Sequence, residues 1–288
     1  MSYYANILIV GNSAMTHKVA VLLQKYDTPV SVYVFENDIF NRVSIQPLCE
    51  KSGISCDSGD GEKLKNLILT LATQRLLIIS AVNMYLFPDD IISHPHIKII
   101  NYHNSILPRH RGMYAEAWQI YEMDDRAGVT WHFVGDKIDG GAIAAQATFP
   151  LDSSFTSIKL LKHQSLEAYE MFEMICDELI NNDIIGTPQI ECENNRARLG
   201  RERPNNGFLD LDWDFNKISA FLRAMDYGPN NTLGNGKVIY SGNTYTWQRY
   251  SLDESEFDNE EVLQEENCII ITKPSGKVTL KNTQIVEA

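Results

Sequence analysis

Residues 97–112 read IKIINYHNSILPRHRG, an apolar run that passes abruptly into a polar loop. Ile97, Ile99 and Ile100 have the β-branched character of a strand buried on both faces. Asn101 and His103 follow two apart, so an extended chain points them the same way. Ser105, Pro108, Arg109, His110, Arg111 and Gly112 complete the stretch. Proline and glycine punctuate loops that must keep one shape. The stretch therefore reads as a buried strand that delivers a polar set at its carboxyl end.

Outward from it, the first half of the chain repeats the alternation. NILIV (6–10), PVSVYVF (29–35), LLIISA (76–81) and IKIIN (97–101) read as strands, and residues 17–26 and 62–74 have helical spacing. Near-continuous apolar strands separated by helices predict an α/β fold, a mostly parallel, doubly wound sheet covered on both faces. GVTWHFV (128–134) and AIAAQATF (142–149) are two further strands around the turn-rich GDKIDGG, and a helix is expected from 156 to 180. A first domain then spans 1–190, and a polar connector with a short helix at 215–225 spans 191–234. KVIYSG, TYTWQRY, CIIITK and KVTLKN make 235–288 a small β-rich, OB-like barrel or sheet. The run 253–266 carries eight acidic residues and reads as a solvated loop.

The formal net charge of −13 repels phosphate backbones and argues against general nucleic-acid binding. Cys49, Cys56, Cys176, Cys192 and Cys268 are odd in number and contain no CxxC, which favours reduced thiols in a cytoplasmic protein over a disulfide framework or a zinc site. The first residues lack the basic lead and long apolar run of a signal peptide. No apolar run approaches the roughly 18–20 residues needed to span a bilayer.

In open α/β sheets, ligands bind beyond the carboxyl ends of the strands. On the strand assignment above, three loops converge there: VNMYLFP (82–88), the opening stretch and GDKIDGG (135–141). They bring Asn101, His103 and Ser105 toward Asp136 and Asp139. An Asn amide can donate to an oxygen gaining negative charge. A His exchanges a proton near neutral pH, and an Asp orients it or accepts a proton. With no GxSxG and no Cys in these loops, direct transfer to an incoming nucleophile fits better than a covalent acyl-enzyme.

NYHNSILPRHRG, GVTWHF and IDGGAIAAQ, in that order over about 46 residues, resemble the core of the formyltetrahydrofolate-dependent formyltransferases. Ile106 stands where the family usually has Leu. NMYLFP resembles the family's loop that holds the pterin ring. RERPNNGFLDLDW with ISAFLRAMD is similar to the lead into the C-terminal subdomain of methionyl-tRNA and amino-arabinose formyltransferases, although DYGPNN replaces the usual Pro-Tyr-Pro-Gly.

The resemblance implies a Rossmann-like formyltransferase fold and a catalytic trio of Asn101, His103 and Asp139. It implies that a primary amine attacks the formyl carbon of 10-formyltetrahydrofolate. Asn101 and protonated His103 would steady the oxyanion, and Asp139 would hold His103 and help remove the amine proton. No metal is implied. The co-substrate would meet Met84, Tyr85, Leu86, Ser105, Pro108, Asp136 and Gly141. Arg111 and Thr130 are candidates to meet the acceptor; Tyr114 and Trp118, in a run unusual for the family, either stack on a base or belong to a helix core. His132 and Gln146 share that neighbourhood.

The acceptor is expected to be a small molecule, a nucleotide-linked amino sugar or an amino acid. Initiator methionyl-tRNA is the alternative that an acidic chain disfavours. A formyltetrahydrofolate hydrolase or a non-catalytic folate- or nucleotide-binding module would keep the same scaffold. An NAD-dependent oxidoreductase is disfavoured by the missing GxGxxG. A homodimer is compatible with all of these.

Overall fold

A computed structural model describes residues 2–36, 43–190 and 196–286. Packing divides the chain into two units. One holds Met1–Gly112, Gly128–Thr148 and His163–Ala197, and the other holds Met113–Ala127, Phe149–Lys162 and Arg198–Ala288.

The elements run β1 (Asn6–Val10), α1 (Ala14–Leu23), β2 (Val30–Phe35), α2 (Gln46–Lys51), β3 (Ser55–Gly59), α3 (Gly61–Leu71), β4 (Leu76–Ser80), α4 (Asp89–Ile92) and β5 (Ile97–His103). Then follow α5 (Ala115–Tyr121), β6 (Arg126–Phe133), β7 (Ile143–Pro150) and α6 (Ser157–Asn181). The seven strands form one sheet in the order β3-β2-β1-β4-β5-β6-β7. β1 to β5 pair in parallel, and β6 runs antiparallel to β5. The mostly parallel, doubly wound sheet expected from the apolar runs is the one observed.

Why those runs are continuous is visible in the side-chain partition. Ile7 and Ile9 of β1 enter one core and Leu8 and Val10 the other; Leu77 and Ile79 of β4 likewise oppose Leu76 and Ile78. Each strand buries both faces, so no polar alternation survives. α1 starts one residue group later than β1 ends, where Ser13 accepts from the Thr16 N–H and the Thr16 hydroxyl accepts from the Ser13 N–H. That reciprocal cap fixes the helix start at Ala14 rather than at the expected 17. Gly11 is needed before it, because a Cβ there would lie 2.0 Å from the Ala81 carbonyl oxygen.

The direction of β6 corrects one expectation. Being antiparallel, β6 does not deliver its following loop at the carboxyl end of β5. The Val134 N–H donates to the Ile99 oxygen, so the 135–141 loop leaves at that level and has to fold back.

The second unit adds β8 (Phe208–Leu209), α7 (Phe215–Met225), β9 (Lys237–Tyr240), β10 (Asn243–Thr246), β11 (Arg249–Asp253), β12 (Glu261–Glu265), β13 (Cys268–Lys273), β14 (Gly276–Lys281) and β15 (Gln284–Ile285). These strands make two four-stranded sheets, β15-β10-β9-β8 and β11-β14-β13-β12. TYTWQRY is thus two strands in different sheets. They break at Trp247, whose ring fills the space a Cβ on Gly236 would need, 2.5 Å away. The acidic run is only partly a loop: 261–265 is an edge strand, charged as sheet edges commonly are.

The linear cuts at 190 and 234 are not those the packing draws. Ala117 and Ile120 of α5, Ile218, Phe221 and Leu222 of α7, and Ile269, Val278 and Leu280 share one core. Segments distant in sequence therefore belong together, and among the described residues the strands after 235 pack into that same core. Cys192 lies outside the described residues; Cys49, Cys56, Cys176 and Cys268 are free thiols.

Candidate active site

The site grows from strand register. β4 sets Ser80 beside Asn101, and β6 sets His132 beside Asn101 and Thr130 beside His103. Ser80, the polar residue that closes the LLIIS run, donates its hydroxyl to Asn101 Oδ1 and accepts from Asn83 Nδ2. Asn83 Oδ1 in turn holds the Tyr85 N–H. The Asn101 amide nitrogen faces the Tyr102 oxygen at 3.0 Å and His132 Nε2 at 3.1 Å. His132 Nδ1 lies 3.0 Å from the Phe133 oxygen and so carries a hydrogen, and its Nε2 faces both the Asn101 amide nitrogen and Asp139. The Asn101 amide turns its nitrogen toward His132 and its oxygen toward Ser80.

His103 is buried, with Nε2 2.8 Å from the His110 carbonyl oxygen and Nδ1 3.4 Å from Asp139 Oδ2. Asp139 reaches it from the folded-back loop, at a left-handed φ of 49°. Its Oδ2 also accepts the Gly112 N–H at 2.7 Å, and its Oδ1 lies 3.4 Å from His132 Nε2. Gly141 closes this loop where a Cβ would strike the Phe133 oxygen at 1.8 Å.

Burial pushes the His103 pKa below its ordinary value, against the opposing pull of Asp139 and the His110 carbonyl. Burial alone would raise the Asp139 carboxyl, but His103, His132 and the Gly112 N–H together hold it well below the usual carboxylate range. Desolvation thus weakens the hold of His103 on a proton, while Asp139 keeps its charge. The pair is then a proton acceptor beside a fixed negative charge, with N–H donors at Asn101 and His103 close by.

The other expected residues divide. Thr130 is fully buried and its hydroxyl is spent on the loop: it donates to the Ser105 oxygen at 2.7 Å and accepts from the Leu107 N–H and from Gln146 Nε2 at 2.9 Å. It shapes the loop instead of meeting an acceptor. Ser105, also buried, donates to the Arg109 oxygen at 2.7 Å and so holds the loop's form; Leu107–Pro108 is a cis peptide bond. Asp136 is exposed. Met84 and Leu86 are exposed to 54% and 70%, whereas the Tyr85 ring packs on Phe35 and Phe87 with centroids 5.7 and 5.2 Å away.

Arg111 is buried and grips Gln189, with Nη2 2.7 Å and Nε 3.2 Å from Oε1. Tyr114 and Trp118 belong to the second unit. There the Arg203 guanidinium lies over Tyr114, Arg198 lies 3.9 Å from the centroid of Trp118, and Trp118 is 5% exposed. The reading of Trp118 as a core residue is the one the packing favours. Ser80, Asn83 and Gln189 were not expected; only Ser80 left a signal, as a polar residue ending a strand opposite Asn101.

The Formyl transferase family model matches residues 11–173, more than half of the chain. GDP-perosamine N-formyltransferase of Brucella melitensis is 28% identical over 130 residues, 45% of this chain and 49% of that protein. Methionyl-tRNA formyltransferase of Ligilactobacillus salivarius is 26% identical over 161 residues, 56% of this chain and 50% of that protein. The aligned regions thus span about half the length of these curated relatives. The fold is that of an N-formyltransferase from Helicobacter canadensis solved with folinic acid and dTDP-3-aminofucose, at a TM-score of 0.72 and 16% identity over 96% of this chain and 98% of that one. With the motif residues gathered on β5, β6 and the loop between β6 and β7, and with the family model running through all of them, the chain belongs to the formyl transferase family.

Proposed function

We propose that this protein moves the formyl group of 10-formyltetrahydrofolate to a primary amine of a small molecule. A nucleotide-linked amino sugar is the first choice of acceptor and an amino acid of a biosynthetic pathway the second. The observation that carries the reading is the network in which His132 links Asn101 to Asp139 and Asp139 reaches His103, in a member of this family. The loop after β4 supports the donor. Its exposed Met84 and Leu86, beside a turn held by Asn83, suit the face of a flat heteroaromatic ring. Gly141 and Asp136 lie on the other loop that leads to Asp139.

The chemistry asked of these residues is modest. The amine adds to the formyl carbon, and the carbonyl oxygen gains negative charge. The Asn101 amide and the His103 N–H exchange their carbonyl partners for that oxygen. The proton lost by the amine reaches His103, steadied by ionised Asp139, and passes to the nitrogen that leaves as the C–N bond to the donor breaks. The donor supplies the formyl carbon; the protein supplies the hydrogen bonds and the proton path.

The sugar relative from Brucella and the sugar nucleotide in the Helicobacter structure support a sugar acceptor. The net charge of −13 weighs against initiator tRNA, in spite of the methionyl-tRNA relative. The reading places the reaction in the cytoplasm, in keeping with the free thiols. No helix among the described residues is long and apolar enough to cross a membrane. A homodimer belongs to the same proposal, with sedimentation velocity as its check.

Tetrahydrofolate release, followed by absorbance across nucleotide-linked amino sugars, amino acids and methionyl-tRNA, tests the assignment. Release that requires an amino sugar nucleotide or an amino acid is the expected result. Release without any amine would make the protein a hydrolase, and folate binding without release from any donor–acceptor pair would make it a binding module.

A further inference from the structure

Gln189 sits in a polar stretch far from the motif residues, yet its side chain is the most completely used near them. Nε2 donates to the Asp139 oxygen at 2.7 Å and to the Gly141 oxygen at 2.8 Å. Oε1 accepts from Arg111 Nη2 at 2.7 Å and from Arg111 Nε at 3.2 Å. Two donors and two acceptor sites are all an amide offers, so every one is engaged and the amide has a single orientation. The residue is delivered by a two-bond bridge: Ile143 and Thr187 exchange N–H···O bonds of 2.8 Å each.

What this clamp joins is specific. One side of it is the folded-back loop, where Asp139 holds a left-handed φ of 49°. The other side is Arg111, which lies between His110, whose carbonyl faces His103, and Gly112, whose N–H binds the Asp139 carboxylate. Both ends of the His103–Asp139 contact are therefore tied through one amide.

We propose that Gln189 is a positioning residue that fixes the Asp139 carboxylate against His103. The claim that this matters for turnover rests on the formyl-transfer reading; the claim about geometry does not. His103 is faced by Asp139 from the loop after β6, by His132 from β6 and by His110 from its own loop. Of these groups, only Asp139 carries a negative charge that favours the imidazolium. If Gln189 is lost and Asp139 relaxes away, His103 should bind its proton less readily.

The experiment is an NMR titration of the seven histidines, with the His103 resonance identified by its loss in His103→Gln. Gln189→Met removes all four bonds. Gln189→Asn keeps a neutral amide but is one methylene too short to hold both sides, so it carries the test if the Met variant does not fold. Both are expected to move the His103 midpoint to lower pH, the direction in which Asp139→Asn moves it. A midpoint unchanged by either Gln189 variant, with Asp139→Asn shifted, would overturn the proposal; so would a midpoint unmoved by Asp139→Asn itself. In the transfer assay both Gln189 variants should lower kcat on the order of 10–100-fold with KM little changed, as for a misplaced reacting group. A shifted midpoint without any wild-type transfer would sustain the positioning role and remove the proposed function.

Discussion

The β5–β6 edge and helix α5 are equally rich in groups that recognise ligands, and the fold treats them in opposite ways. Around β5 and β6, polar side chains engage one another: Ser80 donates to Asn101, the Asn101 amide meets its register partner His132, and Asp139 comes within 3.4 Å of His103. On α5, Glu116, Trp118 and Gln119 are almost wholly buried, and the Tyr227 hydroxyl donates to the Glu116 carboxylate. A strand's period of two says which residues share a face without knowing what covers it. A helix face carries no such label, because the same aromatics serve a core or a ligand equally well.

Trp118→Ala should have the largest effect on this contrast. As a core residue, Trp118 should cost about 3–5 kcal/mol of stability on truncation, read as a drop in denaturation midpoint. A raised KM for the acceptor with the midpoint unmoved would put the ring in a binding site and erase the comparison. His103→Ala should lower turnover by about 100-fold or more in a chain that still folds. Near-normal activity would remove His103 from the chemistry. Asn101→Ala should reduce kcat by about 100-fold with little change in folate affinity, the mark of a donor to developing charge. An effect confined to affinity would assign the amide to binding alone.

A subtler effect follows from pH. Burial holds the folded His103 pKa below 6.5, so below that pH the unfolded chain binds this proton more readily than the folded one. Stability should therefore fall as pH drops from 6.5 toward the folded value. Asp139, also depressed, contributes only at lower pH, as pH falls below 3.8. Denaturation of the wild type and His103→Gln between about pH 7 and about pH 5 should show a weaker pH slope in the variant. Equal slopes would mean that His103 is not held neutral. The smallest change belongs to Trp118→Phe. Its Nε1 is buried without a hydrogen-bond partner among the described residues, so the variant forfeits no hydrogen bond, should cost less stability than Trp118→Ala, and should leave transfer unchanged.

Much of the sheet was legible because β1, β4 and β5 bury both faces and cannot hide their apolar runs. β3, SCDSG, was not. It is an edge strand with one neighbour, and its exposed positions carry polar residues that read as a loop. β12 was obscured in the same way by its charges. The direction of β6 was illegible because parallel and antiparallel partners share one periodicity, so the route by which Asp139 returns could not be foreseen. Within the site, Asn101, His103 and Asp139 were legible as a set with known order. Gln189 was not, because an amide that binds backbone carbonyls leaves no spacing signature, and its partner Asp139 is 50 residues away.

Gly141 gives the returning loop a fixed length. Its backbone lies so close to the Phe133 oxygen that nothing larger fits, and Ile143 is locked to Thr187 just beyond it. One residue gained or lost between 134 and 141 would shift the chain by about 3.3–3.6 Å, a full hydrogen-bond length at Asp139. This short stretch is thus intolerant of insertion and deletion even where its side chains are exposed. Natural relatives of differing length should therefore accommodate the difference elsewhere, in segments such as the acidic turn before β12.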